Sequence, residues 1–294
     1  MESFTTPLLT GASTGAILLV AALGLALTFG QMGVINMAHG EFLMAGAYSA
    51  YLTQQVVADT TLSLLLAIPV AFAVAGLLGL VLEAGVIRWM YHRPLDTLLV
   101  TVGVSLVLQQ LAKDLFGAQG DSVFTPGWLD GHLTVLGYNW PYVRMFTIVV
   151  ALASLAALAA LLKFTSLGRR IRATVQNREL AETMGVATRS VDRLTFFVGS
   201  GLAGLGGVAV ALSGGTNPGL GTTYIIPAFL VVVAGGLGQL RGTVIAAFVV
   251  GIVIAYLTRW FDASMAQVII FALVVVFLQL RPQGLFTVQT RGLA

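Results

Sequence analysis

The stretch Gly30-Gln-Met-Gly-Val-Ile-Asn-Met-Ala-His-Gly-Glu41 holds Asn36, His39 and Glu41 between long apolar runs, Gly11 to Phe29 and Phe42 to Leu52. An ionisable side chain at membrane depth costs at least about 2.5 kcal/mol, so it normally faces a bundle interior or a water-filled path. These three residues supply hydrogen-bond donors and acceptors, the chemistry needed to pass a polar solute. Asn36, His39 and Gly40 stand at i, i+3 and i+4, which predicts one helix face, with Glu41 pointing elsewhere. Glu41 is expected to be protonated or bonded to a neighbouring helix; Glu83 is the other carboxylate at comparable depth. No second His, and no Cys anywhere, stands at helical spacing to His39, so neither a metal site nor a cofactor is expected. Nor is there a nucleophile–base pair, so no catalytic residue is assigned.

Two further sets of polar residues lie in apolar surroundings. Thr101, Ser105 and Gln109 follow i,i+4 spacing and share a helix face. They serve either a path for a neutral polar solute or hydrogen bonds between helices. Asn217-Pro-Gly-Leu-Gly-Thr-Thr-Tyr-Ile-Ile226 reads as a turn ahead of a short apolar segment, and Tyr224 adds a hydroxyl to the solute-path set.

The elements that must position these groups follow from composition. Of 294 residues, 57% are hydrophobic and 9% charged, against about a quarter charged in soluble domains. The runs have helix-spanning length. We therefore predict an all-α polytopic bundle, one transmembrane domain over 1–294. Spans are expected near 8–29, 33–53, 62–87, 95–115, 143–163, 194–213, 222–237, 242–258 and 264–280 (about eight to ten, one or two broken or re-entrant). The segment Met1 to Pro7 has no Lys or Arg, so a retained first helix is expected rather than a cleaved signal. Seven of the fifteen basic residues (Lys163, Arg169, Arg170, Arg172, Arg178, Arg189, Arg193) crowd the 164–193 connection and its edge. By the positive-inside rule that loop is cytoplasmic. Arg88, Arg93, Arg241, Arg281 and Arg291 then also fall inside, while Lys113, Arg144 and Arg259 fall outside. The C-terminus is expected in the cytoplasm and the N-terminus outside. The net charge of +3 needs no nucleic acid partner to explain it.

Within the basic loop, Asn177 is placed to cap a short helix carrying Glu179, Leu180, Ala181, Glu182 and Met184, and Gly185 to end it. Leu180 and Met184 lie i,i+4 beside the small Ala181 and Gly185. That surface suits a groove on a partner, or lies on the membrane against anionic lipid. Gly199, Ala203, Gly207 and Ala211 make an i,i+4 line of small residues for close helix contact. Gly235-Gly-Leu-Gly238 is similar in form and expected depth to Gly30-Gln-Met-Gly33. No Gly-x-x-x-x-Gly-Lys-Ser/Thr phosphate loop is present. Any ATP-driven motor must be another chain.

Taken in order, Gly33–Glu41, Met44-Ala-Gly-Ala-Tyr48, Gln176–Gly185, Gly235–Gly238 and Arg281-Pro-Gln-Gly-Leu-Phe286 resemble the integral-membrane permeases of ABC importers, in the LivH-type branched-chain amino acid group. Gly103–Gln110, Pro126–Gly131, Ala173–Arg178 and Leu220–Ile226 are similar, more narrowly, to the urea permease subunit of the B type. The chain departs from urea-type relatives where Pro227-Ala228 stands for Asp-Ser. The resemblance implies two related permease subunits (or two copies), two cytoplasmic ATPases and an external solute-binding protein in the bacterial inner membrane. It makes Glu179, Leu180, Ala181, Met184 and Gly185 a coupling helix seated in an ATPase. The solute path is expected to use Asn36, His39, Glu41, Gln109 and Tyr224 as hydrogen-bonding groups. The expected solute is urea or a short amide, with branched-chain amino acids as the alternative and a motor-independent urea channel as a third reading.

Overall fold

The computed structural model describes residues 2–91, 93–135 and 137–286; Arg291 lies outside the described residues. Its helices are α1 (Glu2–Met32), α2 (His39–Val56), α3 (Thr60–Gly85), α4 (Pro94–Phe116), α5 (Tyr142–Phe164), α6 (Ser166–Gln176), α7 (Arg178–Thr183), α8 (Thr188–Gly214), α9 (Leu220–Gly235), α10 (Leu240–Trp260) and α11 (Ala263–Leu280). Seven of them are long and apolar enough to cross a membrane. Local chemistry sets several of the ends. Asp59 accepts from the backbone N–H of Thr61 and Leu62 at the start of α3, and Asp262 caps α11. Pro94 opens α4, where its missing N–H costs nothing.

The expected helices all form, with two departures. The second span begins at His39 rather than 33, since residues 33–38 are not helical and Gly33 has φ +65°. Asn36 therefore shares no helix face with His39. Glycine at 33 lets the chain turn off α1 into the left-handed region. The second departure is a two-stranded hairpin in the 116–142 connection, His132–Val135 paired with Tyr138–Pro141.

Helices α1 and α8 form the centre, 78% buried over their most apolar windows, whereas α4, α5 and α11 are 17–22% buried there and show apolar side chains outward. Small residues set the closest contacts. A Cβ on Gly46 of α2 would lie 2.5 Å from the Gly204 Cα of α8, and one on Gly199 of α8 would lie 2.9 Å from the Gly24 carbonyl of α1. Gly199 and Gly207 of the predicted small-residue line serve this purpose, and Ala203 between them is fully buried. The two glycine-rich breaks meet, with a Cβ on Gly30 falling 2.6 Å from the Gly238 Cα.

Candidate functional site

The polar residues converge where two short helices begin. Ser105, the midpoint of α4, donates to Glu41 Oε1 at 2.8 Å, which puts Glu41 about 16 Å from either end of that helix. A Cβ on Gly221 of α9 would lie 2.6 Å from the Glu41 carboxylate, so only glycine allows the first turn of α9 to press against it. From this level α2 runs toward the end where Asp121 bridges Thr216, and α9 runs the other way, to the Gly30–Gly238 contact. Two helix N-termini thus meet at mid-depth, each presenting the positive end of a dipole. The dipoles act in favour of negative charge there, against the desolvation that burial imposes on a carboxylate. Irregular backbone at such depth is tolerated only inside protein or along a cavity.

Each predicted path residue has a defined place. Gln109 donates to Glu41 Oε1 at 2.9 Å and to Ser105 Oγ at 3.0 Å. Thr101 accepts from the Met37 backbone N–H at 3.0 Å, satisfying one donor of the non-helical segment. The polar ladder of α4 is therefore spent on bonds to the 33–41 segment, although Gln109 stays half-exposed. His39 lies in the same buried region, its Nε2 3.1 Å from the Ala21 carbonyl of α1, and so donates there. The ring packs edge-on to Phe42. Asn36, His39 and Glu41 are each 1% exposed. Both polar side-chain atoms of Asn36, His39 Nδ1 and Glu41 Oε2 have no partner among the described residues. Tyr224 sits half-buried one turn beyond Gly221, packed against the core. Among the described residues no cluster of three or more His, Asp or Glu comes together.

At the basic end, Asn177 Oδ1 accepts from Leu180 N at 2.9 Å and caps α7, and Gly185 ends it with φ +84°. Leu180 and Met184 are 60% and 78% exposed while Ala181 is buried, leaving an apolar pair outward on a fixed turn. Glu179 and Gly185 are also exposed.

A network not anticipated from sequence ties this turn to the bundle. Arg178 at the start of α7 meets the fully buried Asp192 of α8 at 2.6 Å. Gln31, in the last turn of α1, donates to the other Asp192 oxygen at 2.8 Å and accepts from Thr195. Arg178 also lies over the Tyr91 ring, and Tyr91 donates to Glu83 Oε1 at 2.7 Å. Burial and the bond to Glu83 push the Tyr91 phenol up, so it stays protonated and acts as the donor. Gln31 and Asp192 are 161 positions apart, and no local pattern pairs them. The one sequence signal is a polar Gln between Gly30 and Gly33 at the end of an apolar run.

Residues 8–278 match the family described as branched-chain amino acid transport system / permease component. The chain belongs to that family. It is 27% identical over 292 residues to the high-affinity branched-chain amino acid transport system permease protein LivH of Escherichia coli K12, covering 94% of this chain and 92% of that one. It is also 27% identical to the permease protein BraD of Pseudomonas aeruginosa, over 95% and 94% of the two chains. A solved chain of a metal-chelate type ABC transporter, inward-facing, is similar over 93% of this chain and 85% of that one, with TM-score 0.49 and 16% identity. This permease is thus a membrane transport subunit of the ABC importer kind and not an enzyme, with ATP hydrolysis on separate subunits.

Proposed function

We propose that this permease forms the membrane path of an ATP-driven importer for branched-chain or similar apolar amino acids, in the inner membrane. Support for this solute comes from relatives matched along nearly the whole chain, described as branched-chain amino acid permeases. That favours the alternative over urea, for which only the narrower motif resemblance speaks. The observation that carries a path at mid-depth is the set of partnerless buried polar atoms on Asn36, His39 and Glu41, where α2 and α9 begin. Burying such atoms unpaired costs on the order of 1–3 kcal/mol each. A passing solute or water supplies the missing bonds. A zwitterion suits the mixture of a carboxylate and two helix N-termini better than an uncharged amide does. Gln109 and Tyr224 would extend the path on either side.

Leu180 and Met184, with Glu179, Ala181 and Gly185, would seat in a cytoplasmic ATPase, and the loop 164–193 would be the coupling element. The Arg178–Asp192–Gln31 chain would carry its motion to the end of α1 and so to residues 33–38. A second permease subunit or copy would cover apolar faces of the peripheral helices, and a solute-binding protein would deliver from outside. On this reading the C-terminus is cytoplasmic and the N-terminus external.

The test is uptake into vesicles holding the complete importer. ATP-dependent leucine accumulation that excess unlabelled urea does not reduce is expected. Urea accumulation unaffected by leucine would replace the amino-acid reading. Undiminished flux with the ATPases absent would replace the importer reading with a channel.

A further inference from the structure

We propose that the groove between α5 and α10 at the basic end is a binding site for one anionic phospholipid. Leu155, Ala159, Leu162, Val244, Ile245 and Phe286 wall a cavity of about 780 Å³, with Lys163, Arg172 and Arg241 around its mouth. The cavity opens outward between two membrane helices, so in a bilayer acyl chains fill it. From Leu155 to Lys163 the wall runs about 12 Å along α5, close to the roughly 15 Å of hydrocarbon in one leaflet.

Headgroup charge follows from the rim. No carboxylate lines the cavity. Lys163, Arg172 and Arg241 take no part in the ion pairs formed by Arg93, Arg178 and Arg193. Lys163 lies over the Phe164 ring, and Arg172 donates one N–H to the Leu162 carbonyl, which fixes its guanidinium at the groove while leaving further N–H groups for a phosphate. Three cations over one apolar slot select a lipid with net negative charge over a zwitterionic one. A smaller apolar cavity of about 250 Å³ shares Leu162, Arg172 and Leu240 and reaches Ala26, Leu27 and Gly30 of α1. The lipid would therefore touch the helix that leads into the 33–41 segment.

Native mass spectrometry of the purified full chain, with phosphatidylglycerol and phosphatidylcholine of identical acyl chains, tests the site. One phosphatidylglycerol should survive activation that strips phosphatidylcholine. Combined Lys163→Gln, Arg172→Gln and Arg241→Gln should lower its retention about a hundredfold, at roughly fivefold per cation. Neutralising the exposed Arg169, Arg170 and Arg189 instead should leave retention within twofold. Ala159→Phe, which fills the slot and keeps every charge, should also release the lipid, and it serves if the triple variant fails to fold. Equal retention of the two lipids would overturn the proposal. So would equal loss from both triple variants, or a second copy of the chain held in place of lipid and released by Ala159→Phe.

Discussion

Glu41 holds α4 to the bundle, and the bond from Ser105 is where this is best measured. Helix α4 shows most of its apolar side chains outward, and its buried face is the row Thr97, Thr101, Ser105 and Ala112. Ser105→Ala removes the 2.8 Å bond to Glu41 Oε1 and leaves that oxygen with Gln109 alone. A hydrogen bond to an ionised group contributes about 1.5–3 kcal/mol, against about 0.5–1.5 for a neutral pair. In a background of Glu41→Gln, which keeps the shape and removes the charge, the same change should cost only the neutral amount. The double-mutant cycle should then return a coupling of about 1 kcal/mol or more. Hydrogen exchange of α4 amides near Ser105 in nanodiscs is the assay, since it reads local opening without whole-chain unfolding. Exchange should quicken about 12- to 150-fold in the single variant. A coupling below about 0.3 kcal/mol, the scatter expected of independent sites, would refute the carboxylate as what holds α4.

Other outcomes are equally specific. Arg178→Gln should leave ATPase association intact and lower solute moved per ATP at least fivefold, because it cuts α7 from Asp192 and Gln31; unchanged transport per ATP would remove this chain from the coupling route. Leu180→Asp with Met184→Asp should abolish co-purification of the ATPases, and their retention would show that α7 is not the docking turn. Gly46→Ala should destabilise by about 1–3 kcal/mol, since its methyl falls 2.5 Å from the Gly204 Cα and α2 must move off α8. Thermal unfolding in detergent checks this, and a midpoint equal to that of the parent would show the contact to be loose.

Apolar run length and glycine spacing fixed much in advance. The helical segments, the Asn177 cap, the Gly185 stop and the close-packing face of α8 are all local properties, and they were legible. Glu41 bonding to a neighbouring helix is one of the two alternatives its burial allows, and the i,i+4 row on α4 names Ser105 and Gln109. The start of α2 was not legible: Gly33–Ala38 is apolar enough to read as helix, and the turn at Gly33 with the Thr101 hydroxyl meeting the Met37 N–H are tertiary features. The abutment of Glu41 on Gly221 and the bonds from Gln31 to Asp192 join residues more than 150 positions apart. Sequence determined which groups are polar in an apolar chain, because hydropathy is a sum over neighbours. Only the tertiary structure decided which of them meet, because pairing at mid-depth depends on how glycine contacts bring distant helices together.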